Sequence, residues 1–350
     1  FPKLKIFYYR SGRFVLLGNE ELELELEKIK SEIIKRFEQP WISSDTELFL
    51  DVSMVYMNPG FGMKSADSIF NLLADSLSIV ANSGSDDFVL LDEKMLKESE
   101  KTTAIKRNLE NAIDKNQVEA FLQPIVDAKT FKIVGAEALA RIRDDDGKLI
   151  SPGLFIPIAE RNGRINQLDE QVLDKVCKFV SDNDMGSLGL NWVNVNLSPI
   201  QFMRQDLDER LTSIINENKV EPAYIHLEVT EESLVDETLL LHQIENIQKS
   251  GFYFVLDDYG KGYSNLARLS KCPFINVKID MSLVWEYVNR PDVMLPNMIE
   301  TFKKLGFSIT AEGIEDEKMA KMMADIGCDY LQGYNFSKAL TMDEFIEKYS

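Results

Sequence analysis

The sequence predicts an α/β protein whose larger, C-terminal part forms a TIM-like (β/α)8 barrel, preceded by a smaller α/β domain. Two observations carry this. After Gln117, short apolar strands recur, each closing on a polar residue before a helical stretch, over roughly 230 residues; the usual size of such a barrel is roughly 250. Before Glu93, strands and helices alternate in a shorter pattern that reads as a small α/β unit. A chain of 350 residues has room for both.

In the smaller part, Lys5–Tyr9 and Phe14–Leu17 read as strands around a turn at Arg10-Ser11-Gly12-Arg13. Glu20–Phe37 reads as a charged helix with apolar positions at helical spacing, and Glu47–Met57 as a strand ended by the turn residues Asn58-Pro59-Gly60. Ser65–Ala81 is a second helix and Phe88–Leu91 a closing strand. From Glu93 to about Asn116, Ile105, Leu109 and Ile113 recur at helical spacing in a highly charged stretch, which predicts a connecting helix. The expected division is a domain over 1–95, a connector over 96–116 and a barrel over 117–350.

The predicted barrel strands and their ends are Ile133–Ala136 at Glu137, Val193–Val195 at Asn196 and Ile225–Leu227 at Glu228. Phe252–Leu256 follows, ending at Asp257 and Asp258, then Ile275–Val277 at Lys278. The last two are Phe307–Ala311 at Glu312 and Asp329–Leu331 at Gln332. Barrels place their active sites at the C-terminal strand ends, so these side chains, with Glu315 just beyond, are expected to converge. One carboxylate at a strand end is ordinarily a helix cap or a solvated loop residue. Seven strand ends in series reverse that expectation.

So many carboxylates share a small cavity only if cations neutralise them, because like charges at close range raise pKa values or push groups apart. An all-oxygen set selects hard ions such as Mg²⁺ or Mn²⁺. Zinc is disfavoured, since His226 and His242 are the only histidines and no cysteine has ligand spacing. His226 reads as a packed strand residue. Adjacent Asp257 and Asp258 suit a two-metal site, the arrangement used for in-line attack of water on phosphorus. Lys278, alone a salt-bridge partner, is placed among acids and metals to orient or deprotonate that water. Gly260 and Gly262 read as flexible positions after Asp258. Met319, Met322 and Met323 read as helix packing.

A formal net charge of −19 opposes general nucleic-acid binding, while a small phosphorylated ligand held by local cations remains compatible. No apolar run is long enough to span a bilayer, so no membrane contact is expected within this fragment. Cys177, Cys272 and Cys328 are scattered and odd in number, which suggests a reducing cytoplasm. Because the first residue is Phe1 rather than Met, the chain reads as an excised fragment, which leaves room upstream for a sensor or a membrane anchor.

At these residues the chain resembles the EAL-domain cyclic-di-GMP phosphodiesterases, from about Leu122 to Phe345. Gln123-Pro124-Ile125 resembles the family's opening strand, and Glu137-Ala138-Leu139 its naming motif, followed by Arg141. Phe155-Ile156-Pro157 with Ala159-Glu160, Asn194-Val195-Asn196-Leu197-Ser198, and Glu228-Val229-Thr230-Glu231 match in turn. So do Leu256-Asp257-Asp258-Tyr259-Gly260, Lys278-Ile279-Asp280, Ala311-Glu312-Gly313-Ile314-Glu315 and Gln332-Gly333-Tyr334. Together they are very specific; singly none would be.

The resemblance implies hydrolysis of cyclic-di-GMP to linear pGpG with two Mg²⁺ or Mn²⁺ ions, and a homodimer built through the barrel. It implies that Glu137, Asn196, Glu228 and Asp257 hold one ion, and Asp257, Asp258 and Glu312 the other. Lys278 positions or activates water, with Glu312 and Glu315 in supporting catalytic roles. Gln123, Leu139, Arg141 and Gln332 contact ligand or support the site, and Glu231 steadies the loop after the Asp pair. The chain departs from the family at Lys261 (usually threonine), Glu232 (usually serine) and Ala339 (often proline), none of which is a metal ligand. These departures keep a second reading open, a receptor that binds cyclic-di-GMP without cutting it.

The N-terminal part resembles the later portion of a GGDEF domain, the diguanylate cyclase fold, with Arg10–Leu17 as its signature hairpin. Gly12 and Arg13 then stand where a cyclase needs two acids, so metal chelation and cyclase activity are not expected. Its implied role is structural or regulatory.

Overall fold

The computed structural model describes residues 3–10, 12–43, 46–57, 66–83, 88–91, 93–230, 237–261, 269 and 272–350. The chain divides into two compact units, Phe1–Thr103 and Ala104–Ser350. The expected connector is a continuous helix, Glu93–Asp114. Its Ile105, Leu109, Ala112 and Ile113 lie in the core of the second unit.

In the first unit, β1 (Lys5–Arg10) and β2 (Arg13–Leu17) form the expected antiparallel hairpin. Gly12 takes φ +74° at its turn, a left-handed conformation that glycine adopts without penalty. The expected helix over Glu20–Phe37 is broken into Glu20–Glu23 and Leu26–Phe37, with a turn at Leu24 and Glu25. The expected strand over Glu47–Met57 is likewise two elements. Its start, β4 (Thr46–Leu48), pairs with an unforeseen β3 (Trp41–Ser43). Its end, β5 (Met54–Tyr56), pairs in parallel with β6 (Phe88–Leu90). The right length of apolar sequence was present, but its two ends have different partners. The turn expected at Asn58-Pro59-Gly60 lies outside the described residues.

Among its described residues, the second unit is built on ten strands. Eight close into a barrel: β7 (Glu119–Asp127), β8 (Ile133–Arg143), β10 (Trp192–Asn196), β11 (Ile225–Thr230), β12 (Tyr253–Tyr259), β13 (Phe274–Ile279), β14 (Ser308–Ala311) and β15 (Tyr330–Leu331). β9 (Leu149–Ile150) and β16 (Leu340–Thr341) extend β8 and β7. Neighbours from β8 through β15 are parallel, whereas β7 is antiparallel to both β8 and β15.

That reversed strand corrects one boundary. β8 was expected to end at Glu137, yet it continues to Arg143 because β7 runs beside it as a long hairpin partner, Glu119 opposite Arg141 and Gln123 opposite Glu137. Pro124 is tolerated within β7 because it falls between the residues paired with β16 (Phe121, Leu122) and those paired with β15 (Val126, Asp127). A missing N–H there leaves no ladder bond unmade on that side.

Outward-facing residues of the strands, among them Val193, Val195, Leu227, Val229, Phe254 and Leu256, are buried beneath the surrounding helices. Met319 and Met323 join that core, as their spacing predicted. Inward positions are unusually polar. Asn276 donates to Ser308 Oγ at 2.9 Å and accepts from Thr310 Oγ1 at 3.0 Å. Gly135 is required here, since a Cβ would stand 2.6 Å from the Trp192 ring.

His226 is packed, as expected: its ring stacks on Trp192 and meets Tyr253 edge-on, both at 5.3 Å between centroids. Burial pushes its imidazole down to about 4 from 6.5. Between those values the unfolded chain binds a proton that the folded chain refuses, so this contribution to stability is present above pH 6.5 and is lost as pH falls through 4. Its size is on the order of 3 kcal/mol. Urea unfolding at neutral pH and near pH 4 should therefore show a larger acid-induced loss in the parent than in His226→Phe, by about that amount. Equal losses would place the acid sensitivity elsewhere.

Candidate active site

Alternation along each strand carries one set of side chains to the barrel interior, and the strand registers bring their upper members to a common level. Asn196 pairs with Glu228, Thr230 with Asp257, and Lys278 with Thr310. Lys278 stands at the centre, almost fully buried. Its Nζ lies 2.9 Å from Glu228 Oε1 and Glu312 Oε1, 3.0 Å from Glu137 Oε2 and 3.1 Å from Asp257 Oδ1. An ammonium carries three protons. Four carboxylates around it cannot all receive one, and among the described residues Asp257 Oδ1 is left without a hydrogen bond.

The carboxylates respond differently. Burial alone would raise Glu137, but the Lys278 charge and hydrogen bonds from Gln332 (2.6 Å), Lys278 and Asn196 (3.4 Å) hold it below its ordinary value. Burial, with Glu137 and Asp257 facing it, pushes Glu228 well above the carboxylate range despite Lys278. Burial raises Asp257 too, with Glu137 and Asp258 adding to the effect. Glu312 is pushed up to about 8, chiefly by burial and against the pull of Lys278. Lys278 itself is held well above its ordinary value by the surrounding acids, which outweigh its own desolvation. One lysine thus does not hold four acids ionised at neutral pH; further positive charge would.

Room for that charge is visible. Ligand oxygens of Asp257, Asp258 and Glu312 lie within 4.8 Å of one another. Glu228 Oε2 is buried with no hydrogen-bond partner among the described residues. Carboxylate oxygens that are buried, convergent and incompletely hydrogen-bonded suit a hard divalent cation such as Mg²⁺ or Mn²⁺. Asp258 reaches its position through a left-handed backbone, φ +57°, which Asp tolerates better than most residues.

Around this cluster, Gln332 also donates to Gln123 Oε1 at 3.2 Å, and Gln123 donates to the Ser337 carbonyl at 3.2 Å. Arg141 is half-buried, lies over the Phe121 ring at 5.6 Å and donates to the Ala140 carbonyl at 2.9 Å. Leu139 is partly exposed on the same strand. Glu315 is exposed and makes no ion pair among the described residues. Glu231 and Glu232 lie outside the described residues, as does Gly262.

Gly260 corrects an expectation. It is not a flexible position: its φ is +108° and a Cβ would stand 2.2 Å from Leu283. The turn after the Asp pair needs a glycine for conformation and for close packing. Gly333 is tighter still, since a Cβ there would stand 2.1 Å from the Ile314 carbonyl oxygen. The backbones around Glu312 and Gln332 are pressed together, with the Ile314 N–H donating to the Gln332 carbonyl at 3.1 Å.

Two contributors were missed. Asn194, quoted within a motif but given no task, donates to Glu228 Oε1 at 2.7 Å. Its place two residues before Asn196, on the same strand face, was the available signal. Asp169 accepts from the Ser198 amide at 3.3 Å and from Gln201 Nε2 at 2.6 Å, and so holds the segment that follows Asn196. Burial pushes Asp169 up to about 7. It lies on the helix Ile165–Asp182, far from any strand end, and nothing in the strand pattern marks it.

Comparison with known proteins places these residues in context. The family model of the EAL domain matches residues 106–339. The chain is 28% identical over 339 residues to the bifunctional diguanylate cyclase/cyclic di-GMP phosphodiesterase MucR of Pseudomonas aeruginosa, covering 95% of this chain and 49% of that one. It is 34% identical over 240 residues to the probable cyclic di-GMP phosphodiesterase PdeB of Escherichia coli, covering 68% of this chain and 46% of that one. The chain spans about half the length, 49% and 46%, of these curated relatives. A solved structure of the PaMucR phosphodiesterase in complex with c-di-GMP superposes with a TM-score of 0.64 at 30% identity, covering 69% of this chain and 98% of that one.

Proposed function

The chain belongs to the EAL domain family, and from that premise we propose that it hydrolyses cyclic-di-GMP to linear pGpG with two Mg²⁺ or Mn²⁺ ions. The observation that carries the reading is the ring of four carboxylates on Lys278, open to further cations at Asp257, Asp258 and Glu312. In the proposed assignment Glu137, Asn196, Glu228 and Asp257 hold one ion, and Asp257, Asp258 and Glu312 the second. Bound there, the ions would supply a water of lowered pKa and neutralise charge on the phosphoryl oxygens.

The chain's own residues do the rest. Lys278, held as an ammonium, cannot take a proton; it acts as a donor that orients the attacking water. Gln332 and Asn194 keep Glu137 and Glu228 aimed into the barrel. Arg141, whose one hydrogen bond among the described residues is to Ala140, is placed to face a phosphate, with Gln123 and Leu139 beside it. Water's oxygen ends on phosphorus as one P–O ester bond of the ring breaks, and the departing ribose oxygen receives a proton. Glu315 and Glu231 keep the supporting roles that the family resemblance assigns them. The same resemblance carries a homodimer through the barrel, which sedimentation of the purified chain tests. The first unit we read as the later part of a GGDEF domain without cyclase chemistry, because Gly12 and Arg13 offer no carboxylate at its hairpin. Among the described residues no helix is long and apolar enough to cross a membrane.

The decisive experiment incubates the purified chain with cyclic-di-GMP and Mn²⁺ or Mg²⁺ and resolves the products by chromatography. pGpG should accumulate only with metal. Arg141→Ala should weaken ligand binding by about 10–100-fold, the range for a lost charged hydrogen bond. Tight binding with no turnover in either metal would leave a receptor instead.

A further inference from the structure

Lys261 follows the Asp pair within one tight turn, its amide donating to the Asp258 carbonyl at 3.2 Å. Its ammonium lies 2.5 Å from Asp258 Oδ1 and 3.2 Å from Asp280 Oδ2. Asp258 is one of the three groups whose oxygens converge on a candidate cation position. Asp280 is not: it is buried, and it caps the helix Met281–Asn289 by accepting from the Ser282 amide at 2.9 Å and the Ser282 hydroxyl at 2.5 Å.

We propose that Lys261 is a displaceable internal counter-ion that weakens the second metal position, by competing for Asp258 and yielding to Asp280 when an ion binds. This rests on the reading of Asp257, Asp258 and Glu312 as metal ligands.

Three features support it. Charge is the first. The Lys261 ammonium lies 2.5 Å from Asp258 Oδ1, one of the three groups whose oxygens converge, so an entering divalent ion meets a fixed positive charge on the carboxylate it needs. Reach is the second. The Lys261 side chain is 57% exposed, so it leaves one carboxylate at little cost. Asp280, fixed by its capping bonds, offers an alternative partner already within 3.2 Å. Independence of the turn is the third, since the backbone bond from Lys261 to Asp258 does not involve the ammonium.

The test measures Mn²⁺ binding without nucleotide, by the electron paramagnetic resonance signal of free Mn²⁺ and by calorimetry. The parent should bind one ion more tightly than the other. Lys261→Met and Lys261→Thr should tighten the weaker site by about tenfold, while Lys261→Arg, which keeps the charge, should resemble the parent. In an Asp258→Asn background, Lys261→Met should have no further effect. Indistinguishable isotherms for the parent and Lys261→Met would overturn the counter-ion role and leave the metal reading standing. No Mn²⁺ binding by the parent or any variant would overturn both.

Discussion

Lys278→Met should destabilise the metal-free protein by about 3–5 kcal/mol, the cost of removing one partner from a buried charge cluster. The four carboxylates now facing Nζ would face one another and a methyl group. They would adapt by taking up protons, because burial and like charges already push Glu228 and Glu312 upward. The pH dependence follows from that direction. These acids would have folded-state pKa values above their unfolded ones, so the folded state binds more protons and stability falls as pH rises through that window. The deficit of Lys278→Met relative to the parent should therefore be small near pH 5 and grow toward pH 9. Mn²⁺ should recover much of it, since an ion bound only by the folded state stabilises by mass action. Turnover should fall by on the order of a thousandfold even with saturating metal, because the water-orienting donor is gone. Melting curves across pH, with EDTA and with Mn²⁺, measure all of this. A metal-free variant as stable as the parent at high pH would show that Lys278 does not neutralise the ring.

How much of this was legible beforehand divides along a physical line. Strand ends within one or two residues of Asn196, Glu228, Asp257, Lys278, Glu312 and Gln332 were readable because parallel barrel strands are short, apolar on their helix-facing side and punctuated where the chain leaves the sheet, although β11, β12 and β13 run on to Thr230, Tyr259 and Ile279. Glu137 was identified for the right place but the wrong reason, since it lies within β8 rather than at its end. Periodicity cannot reveal that β7 runs antiparallel, and it is this reversal that carries β8 beyond the rim. In the first unit the apolar stretch over Glu47–Met57 looked continuous because pattern records burial and not partner identity. Asp169 escaped for a related reason: its task is a hydrogen bond to a backbone amide 29 residues away. Gly260 and Gly333 are readable as glycines, but the contacts that demand them come from elsewhere in the chain, Leu283 on the helix Met281–Asn289 and Ile314 in the segment after β14. Sequence discloses what each segment offers; the fold decides who receives it.

Glu137→Gln should separate charge from shape at the same ring. The amide preserves side-chain length, can still accept from Asn196 and can still lie against Gln332. What it loses is the carboxylate that hydrogen bonds and Lys278 hold most firmly ionised. Glu137 also raises Glu228, Asp257 and Glu312, so its neutralisation should let those acids ionise more readily and return part of the charge that Lys278 needs. Stability of the metal-free chain should consequently change by less than about 1 kcal/mol, in contrast to the lysine variant. Metal binding and catalysis have no such compensation. A divalent ion prefers a charged oxygen to an amide oxygen, and a ligand replaced at the position nearest Asn196 should cost on the order of a hundredfold in Mn²⁺ affinity. Turnover should fall by on the order of a thousandfold or more, with little recovery at high Mn²⁺. Calorimetry with Mn²⁺ and product chromatography measure the two losses on the same preparation. Unchanged Mn²⁺ affinity alongside lost turnover would move Glu137 out of the metal shell and make it a partner of Lys278 alone; unchanged turnover would remove it from the chemistry altogether.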